Sequence, residues 1–160
     1  LNPCPCGYYG SPTRRCRCTP NQIERYLSKV SGPLMDRIDI HIEVPAVTFS
    51  RLRSGPDSAT SAVLRDRVTR ARAAQARRFG DGRGRTNAVM THREVERHCP
   101  LDAAGEIMLK HAMQEFGLSA RAHDKICKVA RTIADLEGVE GIAAEHLAEA
   151  IGYRRLDRKL

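Results

Sequence analysis

SARAHDKICKVARTIADLEG, running from Ser119 to Gly138, is the stretch that decides the fold of this chain. Ser is a favoured helix N-cap and Gly a favoured residue just beyond a helix end, so the stretch predicts a helix over 120–136. Its apolar residues recur at intervals of three and four, as in a helix with one buried face. They are Ile126, Val129, Ala130, Ile133 and Leu136. This face is the predicted centre of a hydrophobic core.

Four more segments carry helix signals of their own. The predicted helices cover residues 62–79, 91–98, 100–116 and 143–151. Thr91 with Glu94 three residues later is a capping box, and Gly117 ends the third of these helices. Apolar side chains of that third helix are expected to face the central one: Leu101, Ile107, Met108, Ala112 and Phe116. The predicted fold class is therefore mainly α.

The first third of the chain differs from this helical remainder. Thr19-Pro20 predicts a helix start, with a helix over 21–30. Residues 38–44, IDIHIEV, alternate strictly between apolar and polar side chains, which predicts a β-strand. A single strand cannot satisfy its own backbone, so its partners lie outside this chain or are not β. We expect a truncated, partly ordered domain over 1–55 and a helical domain over 56–160.

The charge of the chain indicates an anionic partner. Its 160 residues include 27 Lys and Arg against 19 Asp and Glu, a formal net charge of +8. Nucleic acid is the commonest partner of such a basic protein. No run of 18 apolar residues and no signal-peptide pattern is present, so no membrane partner is expected. Four of six cysteines lie at one end, which suits a reducing cytoplasm better than a disulfide scaffold.

A cluster of cysteines is the first candidate site. The four thiols within the first eighteen residues are Cys4, Cys6, Cys16 and Cys18. Four thiolates can hold Zn²⁺ tetrahedrally, and the neighbouring arginines would offset their negative charge. The C-x-C-x₉-C-x-C spacing departs from the usual C-x₂₋₄-C, but Pro5 can pre-shape the tight first turn. We predict a zinc site, the alternative being a loop of reduced, metal-free cysteines.

An arginine-rich helix is the second candidate site. Arginines far outnumber acidic residues over residues 51–85, and aromatic residues are nearly absent there. Contact with phosphates is therefore expected rather than base stacking. The alternatives are a solvated helix face or salt bridges between the subunits of a ring. The candidate nucleic-acid contacts are Arg65, Arg67, Arg70, Arg72, Arg77 and Arg78.

Four motifs in a fixed order carry a family resemblance. They are NPCPCGY at 2–8, CRC at 16–18, SGPLMDRIDIHIEV at 31–44 and LSARAHDKICKVARTIADLEG at 118–138. Together they resemble the C-terminal half of the bacterial magnesium-chelatase-like AAA+ ATPases of the ComM/YifB family. The resemblance implies the helical lid bundle of an AAA+ ATPase. It also implies that the C-terminal remnant of the α/β core, with a cysteine-rich loop, precedes this lid.

The resemblance assigns roles to three residues that are ordinary in isolation. Asn2 matches sensor 1, a polar residue that orients the attacking water beside the γ-phosphate. Arg37 matches the arginine finger, which reaches the nucleotide of a neighbouring subunit; such fingers raise the rate by about 10³–10⁵. Arg121 matches sensor 2, the lid arginine that reports the state of the phosphate.

For the complete protein, the resemblance implies a homo-oligomeric ring that uses ATP and Mg²⁺ and acts on DNA. Its implied role is helicase-like, in branch migration during recombination of incoming DNA. The alternatives are an AAA+ remodeller of proteins, as in the chelatase subunits, and a stand-alone zinc module that binds nucleic acid. The sequence contains no G-x₄-G-K-[ST] phosphate loop and no apolar run ending in paired acids. We therefore expect this chain alone to be inactive as an ATPase.

Overall fold

The computed structural model describes residues 1–44, 59–80 and 84–154, together with the single positions 47, 49 and 53. The described residues form helices and no β-strand, which confirms the predicted mainly α class. The helices are α1 (Pro20–Leu27), α2 (Gly32–Met35), α3 (Ser61–Phe79), α4 (His92–His98), α5 (Ala103–Phe116), α6 (Ala120–Glu137) and α7 (Ala144–Gly152), with a 3₁₀ turn at Asn87–Val89. The predicted domain boundary at 55/56 lies outside the described residues.

Local capping explains where the helices begin and end. Thr91 forms the predicted capping box, and Thr19, predicted as a simple N-cap, forms a capping box with Gln22 as well. The Ser119 hydroxyl accepts a hydrogen bond from the Ala122 amide. Gly138 ends α6 in the left-handed conformation, at φ 82°, which glycine adopts without strain. Helix α5 begins later than predicted because Asp102 is its cap, with Oδ1 2.7 Å from the Gly105 amide nitrogen.

Helix α6 lies at the centre of the bundle and packs against α3, α4, α7 and the 3₁₀ turn. Its predicted apolar face is buried at Ile126, Ala130 and Ile133, whereas Val129 is only partly buried at the edge of the core. Cys127 of α6 and side chains from residues 90–99, α5 and α7 complete the buried core: Met90, Val95, Cys99, Leu109, Leu147 and Ala150. Phe79, at the end of α3, is partly buried against this core. The amphipathic stripe thus decides which helix the others surround.

The face of α5 that meets the core differs from the prediction. Ile107 is 59% exposed, so its placement in the core was wrong, whereas Leu109 is 1% exposed. Residues two apart on a helix point about 200° away from each other, so only one of the pair can face inward. Leu109 shares its face with Gly105 and Ala112, which are also buried, and that face packs on α7.

A buried polar network joins three elements of the bundle. The Asp135 carboxylate accepts two hydrogen bonds from Arg78, at 2.7 and 2.5 Å, and one from the Asn87 amide at 2.8 Å. Arg131 donates to the same carboxylate from one turn earlier, at 3.1 Å, and its other nitrogens donate to the backbone carbonyls of Val139 and Glu140. Burial of this carboxylate is tolerated because every side of it meets a donor.

The β-strand predicted over residues 38–44 was wrong. This segment forms no strand and pairs with none among the described residues, and Asp39 lies in a bend. Ile38, Ile40 and Ile42 are 40–65% exposed, and the side chain on the opposite face, His41, is buried. The His41 amide donates to the Tyr153 carbonyl at the end of α7, at 2.9 Å. Alternation alone predicts a strand only where a neighbouring strand can accept its backbone hydrogen bonds.

The described helices offer no candidate for a membrane span, since none combines the needed length with an apolar character.

We predict that Asp135→Ala destabilises the bundle by about 3–5 kcal/mol, because it leaves Arg78 and Arg131 buried without their counter-charge. Asp66→Ala is the matched control, since Asp66 is an exposed carboxylate that pairs with Arg70 at 3.1 Å. That change should cost less than about 1 kcal/mol. Urea unfolding followed by circular dichroism measures both values. Equal losses in the two variants would contradict a special role for Asp135.

We predict that the bundle loses stability as the pH falls below about 4. Although desolvation opposes its ionisation, hydrogen bonds from Arg78 and Asn87 lower the pKa of Asp135 below the usual value. The Thr91 backbone amide and Arg85 lower the pKa of Glu94 to about 2. A lowered folded-state pKa gives stability that is complete above the unfolded pKa and lost as pH falls through the folded one. Urea midpoints between pH 5 and 2 measure this slope, which should be shallower in Asp135→Asn.

Candidate metal centre and cationic surfaces

The four N-terminal cysteines come together as the spacing predicted. The Sγ atoms of Cys4 and Cys6 lie 3.4 Å apart, those of Cys4 and Cys16 3.7 Å, and those of Cys6 and Cys16 3.6 Å. All four Sγ atoms, including that of Cys18, lie within 4.8 Å of one another. We call the loop of residues 4–18 that carries them the cysteine knuckle.

The size of this sulfur cluster suits one tetrahedral Zn²⁺ ion. A Zn–S bond of about 2.3 Å puts neighbouring sulfurs of a tetrahedron about 3.8 Å apart. The three Sγ–Sγ distances given above are close to that edge length. Cys4 is fully buried, as expected of a ligand that faces the protein side of such a site. The donor set therefore fits a four-cysteine structural zinc site.

The surroundings of the knuckle sulfurs favour the thiolate at Cys6 and oppose it at Cys18. The turn is closed by a hydrogen bond from the Gly7 amide to the Cys4 carbonyl, at 3.0 Å, with Gly7 at a φ of 80°. Amide groups of Arg17 and Tyr8 lower the pKa of Cys6 to about 6. A backbone hydrogen bond favours the Cys18 thiolate too, but desolvation and the neighbouring sulfurs raise its pKa to about 12. A bound divalent cation would relieve this repulsion among the sulfurs.

The other two cysteines differ in kind from the knuckle. Cys99 and Cys127 belong to the apolar core of the bundle. Desolvation by burial raises the pKa of Cys99 to about 11 and that of Cys127 to about 12. Both thiols therefore stay protonated and serve as small apolar side chains.

The three residues assigned to a nucleotide site lie on the surface. Asn2 is exposed and lies beside Gly7 of the knuckle. Its side-chain amide nitrogen is 3.8 Å from the position that a Cβ atom at residue 7 would occupy. Arg37 is exposed just after α2, and its guanidinium donates to the Pro33 carbonyl at 3.1 Å. Arg121 lies in the first turn of α6 with its side chain 60% exposed.

The structure brings the segment around Arg37 against the start of α6. The Asp36 carboxylate accepts a hydrogen bond from the Ser119 hydroxyl at 2.8 Å and lies 3.7 Å from the Arg121 guanidinium. Lys125 donates to the Arg37 carbonyl at 2.5 Å and pairs with Asp39 at 2.6 Å. Asp36, which contacts Arg121, directly precedes Arg37 in the sequence. Arg37 and Arg121 therefore lie on the same surface of the molecule.

Sequence reasoning missed the residues that dock this segment. Arg154, at the end of α7, is buried, donates to the Ile38 carbonyl and lies 4.0 Å from Asp36. Lys125 supplies two contacts from α6. A signal existed in the acidic residues on both sides of Arg37, at Asp36 and Asp39, which a basic helix face could have been expected to bind.

A cleft of about 550 Å³ adjoins Arg121 between α4 and α6. Its lining includes three cationic side chains and one carboxylate: His92, Ala120, Arg121, Asp124, Lys125 and Lys128. His92 Nδ1 lies 3.0 Å from Asp124, which joins α4 to α6 at the edge of the cleft. An anion entering this cleft would meet Arg121 and two lysines.

The arginines of α3 do not form one surface. Successive residues of a helix turn by about 100°, which places Arg65 and Arg72 on one side and Arg70 and Arg77 on another. All of these, and Arg67, are exposed. Arg78 differs because it is bound to Asp135 in the buried network. The structure therefore makes Arg78 a structural residue, and we leave it out of the nucleic-acid proposal.

Comparison with known proteins gives the family. Residues 58–154 match the family described as magnesium chelatase, subunit ChlI C-terminal, and residues 1–52 match the family described as magnesium chelatase, subunit ChlI. The chain belongs to the magnesium chelatase ChlI family.

Curated relatives agree with this membership. The chain is 42% identical over 161 residues to the competence protein ComM of Haemophilus influenzae, and the match covers 100% of this chain and 30% of ComM. It is 38% identical over 164 residues to the YifB protein of Salmonella typhimurium, and that match covers 100% of this chain and 31% of YifB. It is 34% identical over 158 residues to the protein Mb2921c of Mycobacterium bovis, and that match covers 96% of this chain and 30% of Mb2921c. The chain thus spans about 30% of the length of these relatives, less than the expected half.

We predict that the chain binds one Zn²⁺ ion and that Cys16→Ser removes it, because three thiolates and an alcohol hold zinc less tightly. Cys127→Ala is the control, since this core thiol takes no part in the knuckle. Native mass spectrometry of protein prepared without chelator measures the metal content. Metal-free wild-type protein, or equal zinc in the Cys16→Ser variant, would contradict the assignment.

Proposed function

We propose that this chain is the lid and finger part of a ring-forming AAA+ ATPase that acts on DNA, with a helicase-like role in branch migration. Membership of the magnesium chelatase family supports the ATPase assignment. The relative from Haemophilus influenzae is named a competence protein, which favours DNA as the substrate. The net charge of +8 agrees with an anionic partner. In this proposal the cysteine knuckle holds a structural zinc ion.

The observation that carries the proposal is that Arg37 and Arg121 lie on the same exposed surface. Both guanidiniums are solvent-accessible, and the docked segment at 36–39 holds their backbones near each other through Ser119 and Lys125. Two always-charged side chains held in this way suit a phosphate that is bound mainly by other polypeptide. Surface exposure is what a residue needs if it acts on the nucleotide of a neighbouring subunit.

ATP with Mg²⁺, when bound, supplies a phosphoryl group whose charge spreads over its oxygens during transfer. In our proposal, Arg37 stabilises that charge from the neighbouring subunit, and Arg121 responds to the presence of the terminal phosphate. Asn2 orients the attacking water as a neutral amide. The guanidinium and amide donors fit a phosphate and a water, which are both hydrogen-bond acceptors.

A second candidate is a remodeller of proteins. The family description, which names magnesium chelatase, favours it. In this version the arginines of α3 form salt bridges between subunits instead of binding DNA. Stimulation of the ATPase by forked DNA separates the two candidates, because only an enzyme that acts on DNA couples its turnover to it.

We predict that Arg37→Ala in the full-length protein lowers ATP turnover by about 10³-fold, because the finger's charge acts mainly in the transition state. Arg97→Ala is the matched control, since Arg97 is an equally charged, exposed arginine on α4. It should leave turnover unchanged. Phosphate release, measured with and without forked DNA, is the assay. An Arg37→Ala enzyme with wild-type turnover would rule out the finger, and turnover that ignores DNA would favour the protein remodeller.

A further inference from the structure

The cysteine knuckle carries an arginine cleft that the proposed ATPase mechanism does not use. Residues 1–19 contain three arginines and no acidic residue. Beside the sulfur cluster lies a cleft of about 610 Å³, and it is lined by Cys6, Tyr8, Arg14, Arg15 and Arg17. All three arginines are exposed and border the same space. We call this surface the knuckle cleft.

The arginines of the knuckle cleft lack the acidic partners that neutralise several arginines of the bundle. Arg78 pairs with Asp135, Arg85 with Glu94 and Arg131 with Asp135. None of the ion pairs among the described residues includes Arg14, Arg15 or Arg17. Four thiolates on Zn²⁺ form a net negative group, but three guanidiniums more than offset that charge. The cleft therefore keeps a positive charge available for an outside anion.

Tyr8 gives the cleft an aromatic component. The Arg14 guanidinium lies 4.5 Å from the centre of the Tyr8 ring and donates to the Tyr8 hydroxyl at 2.7 Å. These contacts hold Arg14 in place at the cleft wall. The neighbouring Tyr9 is 57% exposed. Tyr9 directly follows Tyr8 of the cleft wall, so the knuckle offers both an exposed ring and guanidiniums, the stacking and phosphate-binding groups used by proteins that bind single strands.

We propose that the knuckle cleft is a binding site for single-stranded nucleic acid. Arg14, Arg15 and Arg17 contact consecutive phosphates, and Tyr9 stacks on a base. The cysteine cluster fixes the loop that presents these side chains. An acidic peptide could use the arginines but not the exposed ring, so the tyrosine favours nucleic acid. This inference rests on the proposed action on DNA and adds a contact site outside α3.

The test is binding of a fluorescein-labelled twelve-nucleotide oligo(dT) to the 160-residue, zinc-loaded chain, followed by fluorescence anisotropy at several NaCl concentrations. The first variant replaces Arg14, Arg15 and Arg17 with Gln. The matched control replaces Arg93 and Arg97 of α4 and Lys110 of α5 with Gln, which removes the same charge from exposed positions that belong to no proposed site. Circular dichroism and zinc content verify that each variant is folded and metal-loaded.

We expect the knuckle variant to lose at least about tenfold in affinity and the control less than about threefold. The slope of log K against log salt should fall by about 2 in the knuckle variant, since each phosphate contact on a single strand contributes about 0.7. Tyr9→Ala should weaken oligo(dT) binding by at least about fivefold while sparing duplex DNA. Cys16→Ser should weaken oligo(dT) binding as the loop loses its metal.

Four results would overturn the inference. They are equal losses in the two triple variants, no oligo(dT) binding by the wild-type chain, competition by a twelve-residue polyglutamate as strong as by unlabelled oligo(dT), and full binding by Cys16→Ser. The proposed ATPase function is judged separately, by DNA stimulation of the full-length enzyme. That stimulation can persist when the knuckle cleft fails, and it can be absent when the knuckle cleft binds.

Discussion

The buried carboxylate of Asp135 is the contact on which the helical bundle depends. Its donors come from three different elements: Arg78 from α3, Asn87 from the 3₁₀ turn and Arg131 from α6. A buried charge is costly unless all of its partners are present. Apolar packing alone tolerates small slides of one helix over another, whereas this carboxylate is satisfied only where all three donors meet. The network therefore fixes how α3 and the turn sit on α6.

The same helix carries this constraint to the surface. The C-terminal half of α6 is held by Asp135, and its N-terminal half presents Ser119, Arg121 and Lys125 to the segment around Arg37. An α-helix of 18 residues is a stiff rod about 27 Å long. Its buried end therefore sets the direction in which Arg121 points. In the proposed ATPase, a lid arginine that senses phosphate needs such a fixed support.

Much of the fold could be predicted from sequence because its signals are local. Caps at Thr91 and Ser119 and the stripe on α6 depend on neighbours three or four residues away. The cysteine cluster was likewise predicted from short spacing. The failures involve partners distant in sequence. The alternation over residues 38–44 could not show that the His41 amide donates a hydrogen bond to the Tyr153 carbonyl. The sequence around Arg78 likewise gives no sign of its partner Asp135, which lies 57 residues later.

The arginines of this chain differ in whether a carboxylate pairs with them, and this difference cannot be read from their positions in the sequence. Arg78 and Arg131 have a structural role, because both are largely removed from solvent and each pairs with the Asp135 carboxylate. Arg121 lies at the margin, since its partner Asp36 is 3.7 Å away and an approaching phosphate could compete for it. Arg14, Arg15 and Arg17 have no such partner among the described residues. Most exposed arginines of α3 also lack a carboxylate partner among the described residues, but they lie on different sides of the helix. The knuckle is a stronger candidate anion site because its three guanidiniums border one cleft.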